Sequence, residues 1–283
     1  MESLDFTQSA QSPIYDATAA AEFFAGAGKV ETVAAGHQFF AERESRGFFS
    51  GDDRMYLLVE GSVALTVGGR PLDIVKPGEI FGEMATITHG KRSATATATT
   101  DCRVIGLDGG QFRKAIRRSP GFALMLMSIM IDRLRLTLAR LATRHALPDR
   151  AAGEERRVFD ESTVDALVRK LGNLPLFAFQ AGRRVFSAGD SAVSMYVVRE
   201  GRVAIVADGR TLEHVGPGGV FGEMALLDGA TRAADAVATT DCALLPVSRT
   251  QFLDLVKGDP EFGLSLLKAL GARLGAMSGA VQK

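Results

Sequence analysis

Residues 77–94 read PGEIFGEMATITHGKRSA, and residues 217–234 read PGGVFGEMALLDGATRAA, the same pattern 140 positions later. Each copy holds a Phe-Gly-Glu-Met-Ala core, and each places an arginine, Arg92 or Arg232, nine residues after its glutamate, Glu83 or Glu223. Extended without a gap, from Tyr56 and Tyr196 to Leu134 and Leu274, the copies agree at 32 of 79 positions. A unit this long is a duplicated domain, because solenoid repeats span only roughly 20–50 residues. Upstream of Tyr56 the copies diverge. AERESRGFFSGDD gives the first a longer loop that carries Phe48 and Phe49.

A chain of 283 residues is long enough for two domains, each with its own core. Its 33 basic and 33 acidic residues cancel, so no whole-chain field favours nucleic acid or an anionic membrane. The N-terminus shows no basic segment followed by an apolar one, so no secretory signal is expected. The most apolar run, FALMLMSIMI at 122–131, is about half of the ~20 residues a spanning helix needs and reads as a buried helix. Cys102 and Cys242 hold equivalent places in the repeats, as small core residues of a reducing cytoplasm rather than a disulfide. His37, His89, His145 and His214 are scattered, with no metal-ligand spacing, so no metal is expected.

In chain order, residues 1–15 read as a flexible arm. Asp16 is placed to cap an alanine-rich helix that stops at Gly26 and Gly28. From Val30 onward, short apolar stretches (HQFFA, RMYLLVE, SVALTV, LDIV, CRVIGL) alternate with Gly, Asp and Pro, the mark of short antiparallel strands in a sandwich or barrel. Residues 113–144 read as helix, with Ser119-Pro120 as its start. Leu124, Met127, Ile131, Leu134, Leu138 and Leu141 fall at heptad a/d spacing, so self-association through residues 121–143 is predicted. The cluster of Arg113, Lys114, Arg117, Arg118, Arg135, Arg140 and Arg144 reads as a solvated helix face. Residues 144–160, rich in charge with Pro and Gly, read as the connection between domains at 16–143 and 161–283. The second repeat then runs through its own strands into a helix from Pro260, where Gly271, Gly275 and Gly279 recur on one face. Such a row costs helix stability unless another backbone approaches it or the end frays.

The chemistry of the repeated stretch is that of a cradle. Gly78 and Gly82 permit tight turns and a close approach to the backbone. About one helical turn follows Gly82, so free N–H groups can face an anion. Arg92 adds a charge-assisted grip on phosphate, and Glu83 can accept from a sugar hydroxyl. No nucleophile–base pair or metal cluster accompanies them, so a binding site is expected and an enzyme is not.

PGEIFGEMA…RSA and PGGVFGEMA…RAA, each preceded by Glu-Gly-x-Val-Ala at 60–64 and 200–204, resemble the phosphate-binding cassette of cyclic-nucleotide-binding domains. That family includes the bacterial catabolite activator and the regulatory subunits of cyclic-AMP-dependent kinase. The resemblance implies a mainly β protein of two tandem jelly-roll-like β-rolls, each followed by a C-terminal helix. It implies that Arg92 and Arg232 hold phosphate, that Glu83 and Glu223 hold the ribose 2′-hydroxyl, and that Gly82, Met84, Ala85, Gly222, Met224 and Ala225 line the cassettes. Ser93 resembles the activator's serine and Ala233 the kinase-type cassette, which favours cyclic AMP over cyclic GMP or a cyclic dinucleotide as ligand, with no separate cofactor. Arg133 and Thr137, in RLRLT, resemble the helix face that meets the adenine. The second repeat keeps Arg273 but has Met277 in place of Thr137, so the first site is expected to be the more selective and the second a companion or relic. KRS at 91–93 also resembles a basophilic phosphorylation site that the cassette would bury.

The function implied is a cytoplasmic receptor that passes occupancy through its helices to an unknown protein partner, without direct DNA or membrane binding. One alternative is a regulator of the catabolite-activator type working with a separate DNA-binding partner, since the second long helix leads to the end of the chain. Another is a degenerate β-roll serving as an interaction module.

Overall fold

A computed structural model describes residues 15–44, 53–149 and 155–281, with side chains to Met277. The longer loop of the first repeat, with Phe48 and Phe49, lies outside the described residues. The chain forms two compact units. One takes in residues 1–133 and 259–275, the other 134–258 and 276–283. The long helices of the repeats are therefore shared out, because each unit includes part of the helix that belongs in sequence to the other.

The first β-roll consists of two four-stranded antiparallel sheets. One contains β1 (Lys29–Val33), β8 (Cys102–Asp108), β3 (Arg54–Glu60) and β6 (Ile80–Phe81), in that order. The other contains β2 (Gln38–Phe40), β7 (Thr95–Ala98), β4 (Val63–Val67) and β5 (Arg70–Val75). The second roll repeats this order with β9 (Phe177–Phe179), β16 (Cys242–Ser248), β11 (Ser194–Glu200) and β14 (Val220–Phe221), and with β10 (Arg184–Phe186), β15 (Asp235–Ala238), β12 (Val203–Ala207) and β13 (Arg210–Val215). Four buried residues in a row, Met55 to Leu58 and Met195 to Val198, mark strands covered on both faces. Thr95–Ala98, by contrast, alternates buried and half-buried.

Registers coincide between the rolls. Tyr56 pairs with Phe81 and Tyr196 with Phe221, their rings stacked at 5.2 and 5.4 Å. The Glu-Gly-x-Val-Ala motif is the turn between β3 and β4, and its equivalent in the second roll. Gly61 and Gly201 stand at φ of 95° and 82°, and a Cβ on either would run into the carbonyl of Asp101 or Asp241. Cys102 and Cys242 are buried free thiols, each facing the carbonyl of Ser62 or Arg202.

Helices close the ends of the rolls. Asp16 caps α1 (Ala17–Ala25) as its sequence predicts, accepting from the amides of Thr18 and Ala19. Phe23 of α1 then stacks on Phe122 at 3.6 Å. Residues 113–144 are not one helix starting at Ser119. A capping box between Asp108 and Gln111 starts α3 (Gly109–Arg118) earlier, the chain breaks at Ser119, and α4 runs Gly121–Thr143. The second repeat has α7 (Arg249–Gly258) and α8 (Pro260–Val281) in the same places. Between the rolls, Asp160 caps α5 (Glu161–Lys170), a helix not expected from the sequence. From residue 155 the connecting stretch is tied down. The amides of Val158 and Phe159 both donate to Gly218 O, at 3.0 and 2.9 Å. In the first unit the hydroxyl of Tyr15 donates to Gly78 O at the matching turn.

Of the heptad seam of α4, Met127, Ile131, Leu134 and Leu141 are buried within the single chain, while Leu124 and Leu138 are half-buried. Much of the stripe that suggested self-association through residues 121–143 is thus covered without a second copy. Among the described residues, no helix is long and apolar enough to cross a membrane.

Candidate functional site

Each cassette begins where the two-residue strand β6 or β14 ends. A glycine in the left-handed region, Gly82 at φ 76° or Gly222 at φ 82°, turns the chain into a six-residue helix. These are α2 (Glu83–Thr88) and α6 (Glu223–Asp228). Neither has a side-chain cap, so first-turn N–H groups are left to other acceptors. Glu83 and Glu223 open the helices and are buried, as are Ala85 and Ala225, while Met84 and Met224 are half-buried.

The arginines return to the same glycines. Arg92 Nη1 donates to Gly82 O at 2.8 Å, and Arg232 Nη1 to Gly222 O at 2.6 Å. Both guanidinium groups lie over an aromatic ring, Phe40 at 4.3 Å and Phe186 at 4.1 Å. Arg92 is 6% and Arg232 5% exposed, low enough that burial pulls both pKa values below the usual arginine range. These two phenylalanines were not singled out in the sequence. The signal was their place in HQFFA and RRVFS, on strands 52 and 46 residues before the arginines they cover.

Around this shared core the cassettes differ. Arg92 Nη2 has the Asp53 carboxylate at 3.9 Å. The residue before the equivalent strand is Val193, and Arg232 Nη2 donates instead to Ser194 O at 2.5 Å. Arg232 Nε is buried and donates to no acceptor among the described residues. Arg133 Nη1 donates to Glu83, which ties the cassette glutamate to α4. Arg133 falls in the first unit and Thr137, which is buried, in the second; Arg273 is buried in the first and Met277 in the second. Ser93 and Ala233 are both exposed, so KRS is not buried as a whole: Lys91 and Ser93 are exposed and Arg92 alone is turned inward.

Two units, each a β-roll presenting a buried arginine beside an uncapped, glycine-led helix, define a tandem ligand-binding β-roll protein. Residues 46–119 and 176–259, more than half of the chain, match the cyclic nucleotide-binding domain, and the protein belongs to that family. A cAMP-dependent protein kinase regulatory subunit of Eremothecium gossypii is 27% identical over 205 residues, 72% of this chain and 40% of the relative. The cyclic AMP receptor protein of Thermus thermophilus is 37% identical over 101 residues, 34% of this chain and 47% of the relative. The chain thus spans less than half the length of either. The regulatory domain of Toxoplasma gondii PKA, solved with cAMP, is 21% identical, with 82% of this chain and 83% of that chain covered at a TM-score of 0.29.

Proposed function

We propose that the protein is a non-catalytic cyclic-nucleotide receptor, with cyclic AMP as the ligand of both cassettes. The carrying observation is the buried arginine set beside uncapped amides in each roll, in the second with an Nε that meets no acceptor among the described residues. A desolvated cation with unused donors is stabilised by an anion, and a cyclic phosphate supplies one whose oxygens reach both the guanidinium and the helix amides. Glu83 and Glu223, first residues of those helices, would accept from the ribose 2′-hydroxyl. The names of the relatives support cyclic AMP. Ser93 would join the phosphate contacts from its exposed position. Arg133 and Thr137 would meet the base in the first site, and Arg273 and Met277 belong to the corresponding stretch of α8.

Transmission follows from the Glu83–Arg133 pair. A hydroxyl that engages Glu83 changes what Arg133 holds, and with it the equilibrium position of α4. A partner reading α4 or α8 would then see occupancy. The same ion pair, with Arg92–Asp53, is also what a ligand-free interaction module would use to satisfy its charges at the first cassette. Calorimetric titration with cyclic AMP, cyclic GMP and cyclic dinucleotides separates the two. Saturable heat that weakens in Arg92→Ala or Arg232→Ala supports the receptor. The absence of heat with every nucleotide rejects it, and binding that neither variant weakens moves the sites elsewhere.

A further inference from the structure

Ser119 lies at the junction of α3 and α4, and the duplication supplies its counterpart. In the gap-free alignment of the repeats, Arg117-Arg118-Ser119-Pro120 falls on Lys257-Gly258-Asp259-Pro260. A serine in the first repeat thus stands where the second carries a carboxylate. The difference extends into the helices that follow. α8 has Glu261 in its first turn, whereas α4 has no acidic residue there, Gly121 holding the equivalent place.

The carboxylate of the second repeat has a structural task. Asp259 Oδ1 accepts from the amide of Phe262 at 3.3 Å, an N-cap that satisfies one donor of the first turn of α8. In the first repeat the equivalent amide, that of Phe122, donates at 3.1 Å to the main-chain carbonyl of Ser119 instead. The Ser119 hydroxyl makes no hydrogen bond among the described residues. Ser119 is exposed and lies outside both helices, with Arg117 and Arg118 exposed immediately before it and Pro120 immediately after. An exposed serine between arginines and a proline, at a break in the helical backbone, is the kind of segment a protein kinase can take up.

Charge decides what a phosphate would do at this junction. A phosphoserine carries about −1.5 to −2 charges and three acceptor oxygens, comparable to Asp259 and Glu261 together. It would stand before the first turn of α4, whose dipole favours an anion. It would also stand at the end of α3, whose dipole disfavours one, but Arg117 and Arg118 occupy that last turn and offset the repulsion. Arg117 is otherwise engaged with α8, its Nη2 and Nε donating to Glu261 Oε1 at 2.7 and 3.2 Å. With side chains 62% and 65% exposed that pair is weak, and a dianion two residues from Arg117 competes well for the guanidinium.

We propose that Ser119 is a phosphorylation site, at which a serine/threonine kinase gives the first repeat the anionic helix start that Asp259 builds permanently into the second. In the transfer, Ser119 Oγ forms a bond to the γ-phosphorus of ATP and the bond from that phosphorus to the β,γ-bridging oxygen breaks. ADP leaves, and the hydroxyl proton passes to the base of the kinase. The product caps α4 and draws Arg117 away from Glu261, so one modification alters both the start of α4 and the contact of α3 with α8 inside the first unit. The proposal stands apart from the identity of the ligand in the cassettes.

The site is tested by phosphopeptide mass spectrometry on the full chain isolated from its own cells, sampled across growth phases, with a phosphate expected on Ser119. Its absence from every sample would overturn the proposal. The consequence is tested on the full chain treated with ATP and either an arginine-directed or a proline-directed serine/threonine kinase, one of which is expected to modify Ser119. Replacing Arg117 and Arg118 with Ala should slow the first enzyme about tenfold, and Pro120→Ala the second, which tells the two apart. Amide hydrogen exchange at residues 121–123 should then be about fivefold slower in the phosphorylated chain than before treatment. Ser119→Asp should reproduce part of that slowing without a kinase. Ser119→Ala should keep the parent Tm, take up no phosphate at this junction and show no slowing. A chain phosphorylated on Ser119 whose exchange at residues 121–123 is unchanged would also overturn the proposal, as would transfer to Ser119 by neither kinase.

Discussion

The two cassettes have the same backbone and different electrostatics. Their leading glycines differ by 6° in φ, both arginines cover a phenylalanine, and both return to the glycine carbonyl. Yet Arg92 has the Asp53 carboxylate at 3.9 Å, while Arg232 donates to the carbonyl oxygens of Gly222 and Ser194 and feels the Glu223 and Asp190 carboxylates from farther off. The residue that makes this difference lies just outside the block of close identity. A motif therefore specifies where a charge is put. Its neighbours decide how much of that charge is left for a ligand.

The comparison can be broken most directly by removing the arginines. Arg92→Ala and Arg232→Ala should each weaken cyclic AMP binding at its own site by about 100-fold, the scale of losing charge-assisted contacts worth about 3 kcal/mol. Calorimetry on the single variants checks it, and equal residual binding in both would sink it. Exchanging the flanking residue should have a smaller effect of opposite sign at the two sites. Asp53→Asn is expected to strengthen the first site about threefold, and Val193→Asp to weaken the second by a similar factor.

Stability offers a ligand-free view of the same contrast. Arg232→Met removes a buried charge whose direct partners are carbonyl oxygens, whereas Arg92→Met leaves Asp53 without its partner. Chemical denaturation should therefore find Arg232→Met the more stable of the two by about 1 kcal/mol or more. The helix contact at the first cassette can be probed likewise. Gly271→Ala forces α8 away from Thr88, whose hydroxyl is pinned to Met84 O, and should cost about 1–3 kcal/mol. Gly275→Ala, with nothing within 4 Å, should gain up to about 1 kcal/mol.

The smallest expected difference is in pH response. His89 ends α2, where the second cassette has Gly229. Desolvation, then the charges of Lys268 and Arg113, lowers the His89 pKa below 6.5. The unfolded chain therefore binds the proton more tightly, and stability is lost as pH falls from above the unfolded value through the lowered one. His89→Gln should flatten the dependence of Tm on pH between about pH 7 and pH 5. An unchanged slope would show that His89 does not titrate in that window.

Much of this was readable from the residues. Duplication, strand pattern, the Asp16 cap and the glycine–glutamate–arginine spacing are local signals, and local backbone chemistry was enough to realise them. What was hidden depends on distant partners. Ser119-Pro120 was legible as a helix start, but the separate helix before it, opened by the Asp108–Gln111 capping box, was merged with the one that follows. The helix at 161–170 was passed over because its charged lead-in looked like linker. Arg135 was taken for a member of a solvated basic face, but it is half-buried and bound to Asp228, 93 residues away, whereas Arg117 stays exposed while reaching Glu261, 144 residues away. The heptad seam was read for a second copy, and the chain itself buries four of its six residues. Sequence spacing says that a stripe wants cover. It does not say whose.

The carbonyls of Gly78 and Gly218 bear on how the molecule can be taken apart. In one roll the acceptor is satisfied by the hydroxyl of Tyr15, and in the other by the amides of Val158 and Phe159. These are unlike groups at unlike distances upstream of the roll. A fragment trimmed to the limits of family similarity, starting at residue 46 or 176, would lose that donor in either case. The natural module for dissection, grafting or sensor building is therefore the roll together with its own lead-in, and the two lead-ins are not interchangeable parts.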